Sequence, residues 1–161
     1  MRRIEEIIKS QGAGLARVAL SYEYDSALRE DLLQDILIAI HRALPGLRED
    51  ASLPAFVFRI AHNRGVTHAL RRRAARLAAS VHEEPEPVGT PEGLLIESDR
   101  ALRLQAAVRR LPLPYRQVVT LVLEDLSHAE IAEALGLTLS NVAVRVNRAK
   151  AMLREIIDHD P

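Results

Sequence analysis

The feature that most constrains this chain is a break in its middle. From Val81 to Asp99 the sequence runs VHEEPEPVGTPEGLLIESD, with no Lys or Arg, carboxylates at Glu83, Glu84, Glu86, Glu92, Glu97 and Asp99, and Pro85, Pro87, Gly89 and Pro91 among them. Proline removes a backbone donor, glycine loses the most entropy in regular structure and like charges repel, so the stretch reads as a linker. A chain of 161 residues is thereby divided into a first lobe over 1–80, an acidic linker over 81–91 and a second lobe over 92–161. Each lobe is near the lower size limit for a core of its own. Neither shows an internal repeat or a low-complexity tract.

Both lobes have helical periodicity. In the first, Ile4, Ile7 and Ile8 begin an apolar stripe that Gly12 and Gly14 weaken and that Leu15, Val18 and Ala19 resume. A second helix over Ser26–Leu44 repeats Leu28, Leu32, Leu33, Ile36, Leu37 and Ile40 at three- and four-residue spacing, until Pro45-Gly46 ends it. After the polar loop GLREDAS, Ser52 is placed as an N-cap and Pro54 in the first turn of a third helix carrying Phe56, Val57 and Ile60. In the second lobe Thr90-Pro91 offers a helix start, Leu102, Ala106 and Val108 follow, Leu111-Pro112-Leu113-Pro114 breaks the pattern, and a further helix spans about Tyr115 to Glu124. No segment alternates with period two for long enough to make a strand. The fold class is therefore all-α, in two small helical domains.

Composition narrows the function. The 48% hydrophobic content is too high for a chain disordered throughout, and the absence of cysteine removes disulfides, thiolate metal sites and Cys nucleophiles. No apolar run approaches the roughly 18 residues of a membrane span, and the start, MRRIEEIIKSQGAG, has acids where a signal peptide has its apolar stretch. The expectation is a cytoplasmic protein without membrane insertion. A formal net charge of zero argues against generic DNA affinity, which comes from an excess of Lys and Arg. The charge is segregated, however. Arg59 to Arg76, RIAHNRGVTHALRRRAAR, contains six arginines, two histidines and no carboxylate.

The most specific pattern lies near the end. Ser127-His128-Ala129-Glu130 is a capping box that opens a short helix with Ile131, Ala132 and Leu135 on its apolar face. Gly136 is placed to end that helix in a left-handed conformation, and Thr138 to cap the next, which runs to about Ile157. Two helices joined by so short a Gly-containing turn form a helix-turn-helix. In the second of them Val142, Val146, Ala149 and Leu153 share an inward stripe, while Asn141, Arg145, Arg148 and Met152 form another, with Ser140 and Val144 beside it. That face has two arginines and no acid, which suits a helix entering a major groove. An αα-hairpin with a solvated basic face shares the same pattern.

The stretch LPLPYRQVVTLVLEDLSHAEIAEALGLTLSNVAVRVNRAKAMLRE resembles region 4 of the bacterial RNA polymerase sigma factors of the extracytoplasmic-function (ECF) group, in the sigma-70 family. In the first lobe, LREDLLQDILIAIHRALPGLR resembles their region 2.1–2.2 and LPAFVFRIAHNRGVTHALRRR their region 2.3–2.4. The matches occur in the family's order and flank an acidic linker where the family has one.

The resemblance implies a role for each lobe. Asp31, Gln34 and Asp35 would meet the clamp helices of the polymerase β′ subunit; two carboxylates one turn apart opposite the apolar stripe can face a basic partner, or simply solvate the helix. The third helix would read and help melt the −10 element through Phe56, Arg59, Asn63, Arg64, Arg71 and Arg72, supported by the loop from Leu47 to Leu53. Phe56-Val57-Phe58 stands where the family usually has Trp-Leu-Phe or Trp-Leu-Tyr, Phe56 fits a core position equally well, and Thr67 stands where an Asp is common. Region 4 would bind the −35 element through Ser140, Asn141, Arg145 and Arg148 while its other helices meet the β flap; Ala143 replaces a frequent Lys. The partners implied are core RNA polymerase, promoter DNA and an anti-sigma factor. The linker carboxylates would imitate RNA phosphates on the transcript's path.

Catalysis has little support. The six histidines include no His-x-x-x-His pair, and no Ser, Thr or Lys sits in an activation motif. No catalytic residue, metal site or cofactor is expected, and the chain reads as a specificity subunit and not an enzyme. The alternative is a stand-alone helix-turn-helix regulator with a helical sensor or dimerisation lobe, which would bind a duplex site alone, commonly as a dimer on a palindrome. A helical adaptor without a DNA role would be indifferent to loss of Arg145 and Arg148. With no global positive charge, a chain of the sigma type should bind DNA poorly until the polymerase holds both lobes in place.

Overall fold

The computed structural model describes residues 2–79 and 99–159, and among these every regular element is helical. The linker over 81–91 and the helix start at Thr90-Pro91 lie outside the described residues. The first lobe contains α1 (Arg2–Tyr22), α2 (Ser26–Ala43) and α3 (Leu53–Ala78). The second contains α4 (Asp99–Arg109), α5 (Leu113–Leu123), α6 (His128–Leu135) and α7 (Leu139–Asp158).

Helix α1 passes without a break through Gly12 and Gly14, although glycine costs about 1 kcal/mol relative to alanine inside a helix. Close packing explains Gly14, which is buried: a Cβ there would stand 3.0 Å from Phe58 Cζ and 2.6 Å from a carboxylate oxygen of Glu124. Helix α2 starts on Asp25, whose carboxylate accepts the Leu28 N–H at 3.0 Å, and gives way to a 3-10 turn at Leu44–Gly46, where Pro45 cannot continue it. Ser52 caps α3 by accepting the Ala55 N–H at 3.2 Å, with Pro54 in the first turn as predicted. At the other end of the lobe, Gly65 leaves room for the Tyr22 ring, which a Cβ would strike.

In the second lobe α5 begins at Leu113, two residues before the predicted Tyr115, because the fixed φ of Pro114 suits a first helical turn. The capping box at Ser127 and Glu130 forms as predicted, with both reciprocal bonds at 3.1 Å. Gly136 takes φ 68°, and Thr138 accepts the Asn141 N–H at 3.1 Å. Val142, Val146, Ala149 and Leu153 all point inward from α7 and pack with Val118, Leu121 and Ile131.

The lobes do not stand apart. Helices α4 and α5 pack on α1, and α6 packs on α3. Their buried apolar residues form one continuous core, and polar contacts also cross the seam between them. Arg17 on α1 forms a two-pronged ion pair with Glu124, its Nη2 2.9 Å from Oε2. Arg116 reaches from α5 to donate to the Ser21 carbonyl at 3.3 Å, and the Arg109 guanidinium lies 4.7 Å from the centre of the Tyr24 ring. Ser52 donates to Glu130 Oε2 at 2.6 Å.

His62 closes this seam. It is 1% exposed, with Nδ1 2.7 Å from the Tyr22 hydroxyl and Nε2 3.1 Å from Thr120 Oγ1. The surrounding donors assign its tautomer. Thr120 donates to the Gln117 carbonyl at 2.9 Å, so its oxygen is left to accept the His62 Nε2–H. Gln117 Nε2 donates to the Tyr22 oxygen at 3.2 Å, so the Tyr22 O–H is free to donate to Nδ1. A neutral imidazole satisfies every member of this ring of bonds. Burial accordingly lowers the His62 pKa to about 3 and raises that of Tyr22 to about 12.

Candidate nucleic-acid interface

The recognition face on α7 is built by the helix-turn-helix geometry. The capping box, the left-handed glycine and the Thr138 cap aim the N-terminus of α7 outward, while its Val/Ala/Leu stripe anchors it. Ser140, Asn141 and Arg148 are exposed and Arg145 is half-buried, and they form a continuous strip with no acid in it. Amide, hydroxyl and guanidinium groups in the first turns of a helix are the donors and acceptors that base edges require.

A second cationic surface runs along α3. Arg59, Asn63, Arg71, Arg73 and Arg76 are exposed, and Arg59, Arg71, Arg73 and Arg76 have no ion pair among the described residues. Phe56 is half-buried against the core, and together with Arg59, Gly46, Leu47, Arg48, Ala51, Ala55 and Glu133 it lines a cavity of about 190 Å³ at the N-terminal end of α3. An aromatic edge beside two guanidinium groups can stack and hold a single-stranded base.

Two of the predicted arginines are already engaged. Arg72 lies 2.7 Å from Glu23 Oε1, and His68 Nε2 lies 2.9 Å from the same oxygen. Glu23 is 6% exposed and sits in the turn between α1 and α2, so it ties the middle of the basic tract to the lobe's corner. Of the Arg71-Arg72-Arg73 run, only the outer two point freely into solvent. Arg64 lies 3.8 Å from Asp35. Asp31, Asp35, Arg64, Thr67, His68 and Arg71 border one shallow recess, so carboxylates and cations assigned to different partners lie side by side. Asp31 and Gln34 are exposed on the outer face of α2.

Sequence reasoning missed Glu23, Glu124, Glu130 and His62 as organising residues. Their partners lie 45, 107, 78 and 58 positions away, and no periodicity links such pairs. The one local signal was for Glu130, whose capping-box role is visible in the sequence. Its carboxyl is held below the usual carboxylate range, first by the Ser52 hydrogen bond and then by the Ser127 N–H.

Comparison with known proteins matches the chain to two models of one family. Residues 7–76 match Sigma-70 region 2, and residues 101–153 match Sigma-70, region 4. The ECF RNA polymerase sigma factor SigM of Mycobacterium tuberculosis is 28% identical over 156 residues, covering 96% of this chain and 77% of SigM. Among solved structures, the sigma factor RpoE of Bartonella quintana, in complex with the anti-sigma factor NepR, is similar with a TM-score of 0.77 and 21% identity, over 98% of this chain and 97% of RpoE. CnrH in complex with the cytosolic domain of CnrY gives a TM-score of 0.72 and 27% identity, over 99% of this chain and 90% of CnrH.

Proposed function

Because the chain belongs to the sigma-70 family, in its ECF group, we propose that its first lobe binds core RNA polymerase and the −10 element and its second the −35 element. The observation that carries the assignment is the pairing of two separate DNA-fitted surfaces in one chain. One is the acid-free strip Ser140, Asn141, Arg145 and Arg148 on a capped helix, and the other is the α3 face with its aromatic-edged cavity.

Asp31, Gln34 and Asp35 supply the acidic contact for the clamp helices of β′, and the second lobe meets the β flap. Phe56, Arg59, Asn63 and Arg64 serve the melted −10 strand, with Arg71 on the phosphates. Arg72 contributes through its pairing with Glu23, which fixes the helix carrying the others. The chain supplies specificity and the polymerase supplies catalysis, so no catalytic residue is assigned. No described helix is long and apolar enough to cross a membrane, and we place the protein in the cytoplasm with the polymerase. The structural relatives RpoE and CnrH were solved with NepR and CnrY, and an anti-sigma factor is the regulator proposed for this chain.

The test is to add the purified chain to core polymerase with a genomic promoter library and map transcript starts. Start sites sharing two spaced elements support the reading. Absence of both initiation and a complex with core refutes it, and tight binding of the isolated chain to one palindromic duplex identifies the stand-alone regulator instead.

A further inference from the structure

We propose that Val144 on α7 is a specificity-determining residue: its methyl groups read the C5-methyl of a thymine, so that the upstream element this chain selects carries a thymine fixed by an apolar contact. The inference rests on the promoter reading above and deepens it from a surface to a single base.

The first observation is where Val144 points. At about 3.6 residues per turn it lies on the far side of α7 from the buried stripe of Val142, Val146, Ala149 and Leu153, so it projects from the middle of the outward face. It is 46% exposed. Ser140 stands one turn before it and Arg148 one turn after, with Asn141 and Arg145 alongside. The other large exposed hydrophobics of α7, Leu139 and Ile157, lie at the two ends of the helix, on the side toward the buried stripe. Among the described residues, Val144 is therefore the large exposed apolar side chain at the centre of the strip. Single apolar side chains are ordinary on a protein surface, but this one is set among the groups fitted for base edges. It takes no part in the core, and valine is a poorer helix former than alanine, so neither packing nor propensity accounts for it.

The second observation is the depth that the face allows. The outward residues around Val144 are short: Ser140, Ala143, Asn147 and Ala151. The long cationic side chains, Arg145 and Arg148, both sit to one side of it. A helix with short side chains along its leading edge can approach the floor of a major groove closely. That approach is what a valine needs, because its methyl groups reach little beyond the backbone and a contact between carbons requires about 4 Å. The two guanidinium groups are then left to neighbouring guanine edges or phosphates.

The chemistry selects the base. In the major groove every base presents hydrogen-bonding groups, and thymine alone adds a methyl group. An alkyl side chain pressed on a donor or acceptor strips its water and returns no hydrogen bond. Against thymine the same side chain buries the C5-methyl instead, so one base is favoured over the other three.

The test removes methyl groups from each side of the contact in turn. Holoenzyme assembled from the full chain and core polymerase selects duplexes from a promoter library whose upstream element is randomised. Wild type should fix thymine at one position. Val144→Ala, an exposed change to a better helix former, should relax that position and keep the others. Deoxyuridine then replaces that thymine in the selected duplex, which deletes the C5-methyl and leaves every hydrogen-bonding group in place. Wild-type holoenzyme should bind the uracil duplex about fourfold more weakly, equivalent to about 0.8 kcal/mol for one buried methyl-sized group. Val144→Ala should bind the thymine duplex more weakly than wild type does and lose nothing further with uracil. A wild-type selection without a fixed thymine overturns the inference, as does a uracil penalty that is absent or equal in the two proteins. Failure of wild type to select any upstream sequence with core counts against the sigma reading. Selection by the isolated chain from the same library then decides the inference through the same uracil comparison, and its failure as well overturns both.

Discussion

Acid should weaken this protein through a buried histidine. His62 is buried as a neutral imidazole, accepting from Tyr22 and donating to Thr120, and its pKa is lowered to about 3 from an unfolded value near 6.5. Between those values the unfolded chain binds a proton that the folded chain refuses. Stability is therefore whole above about pH 6.5, falls as the pH drops below it, and stops falling on this account near pH 3. The loss at pH 5.5 is RT ln 11, about 1.4 kcal/mol, and each further unit of acidity adds about 1.4 kcal/mol until the folded pKa is reached. Urea unfolding at intervals from pH 7.5 to 4.5 measures it. The control is His62→Gln, which keeps a donor and an acceptor but cannot titrate. Subtracting its profile from that of wild type removes the other five histidines and the carboxylates. A difference that is flat across this range would refute the assignment of His62 as the buried neutral partner.

Three further outcomes are expected. Arg145→Ala combined with Arg148→Ala should lower affinity for the upstream promoter element by a few kcal/mol, at about 1–3 per good base contact, with core binding intact in a pull-down. Reversing charge at Asp31 and Asp35 should do the opposite, weakening assembly with core while leaving urea stability within about 1 kcal/mol, since Asp31 is exposed and the only described ion pair lost is the half-exposed one with Arg64. Equal core affinity would contradict their assignment. Gly65→Ala should destabilise the first lobe by about 1–3 kcal/mol, because the added methyl meets the Tyr22 ring; an unchanged urea midpoint would show that the ring shifts freely.

Much of the helical architecture was legible because its causes are local. The capping box at Ser127, the left-handed Gly136, the Thr138 cap and the Val142/Val146/Ala149/Leu153 stripe all depend on residues within a turn or two of one another. The same holds for Ser52 and Pro54 at the start of α3. Where local rules pointed the wrong way, packing overruled them: Gly12 and Gly14 predict a weakened helix, yet α1 continues because Gly14 admits Phe58 and Glu124 at close range. The candidate DNA residues were legible as types and spacings, but not their state of engagement. Arg59 and Arg72 look equivalent in the sequence, and only the fold pairs Arg72 with Glu23 and leaves Arg59 at the mouth of a cavity.

The sequence by itself determined the class of the fold and the presence of a helix-turn-helix beside a basic tract. These follow from periodicity, capping and charge, which act over a few residues. Only the tertiary structure decided how the lobes sit, because that depends on pairs such as Arg17 with Glu124 and His62 with Thr120, brought together from distant parts of the chain. A net charge of zero could not reveal that some of the acids lie against the very arginines proposed to meet DNA. Charge is additive along a sequence, but electrostatic energy depends on distance, and distance is set by the fold.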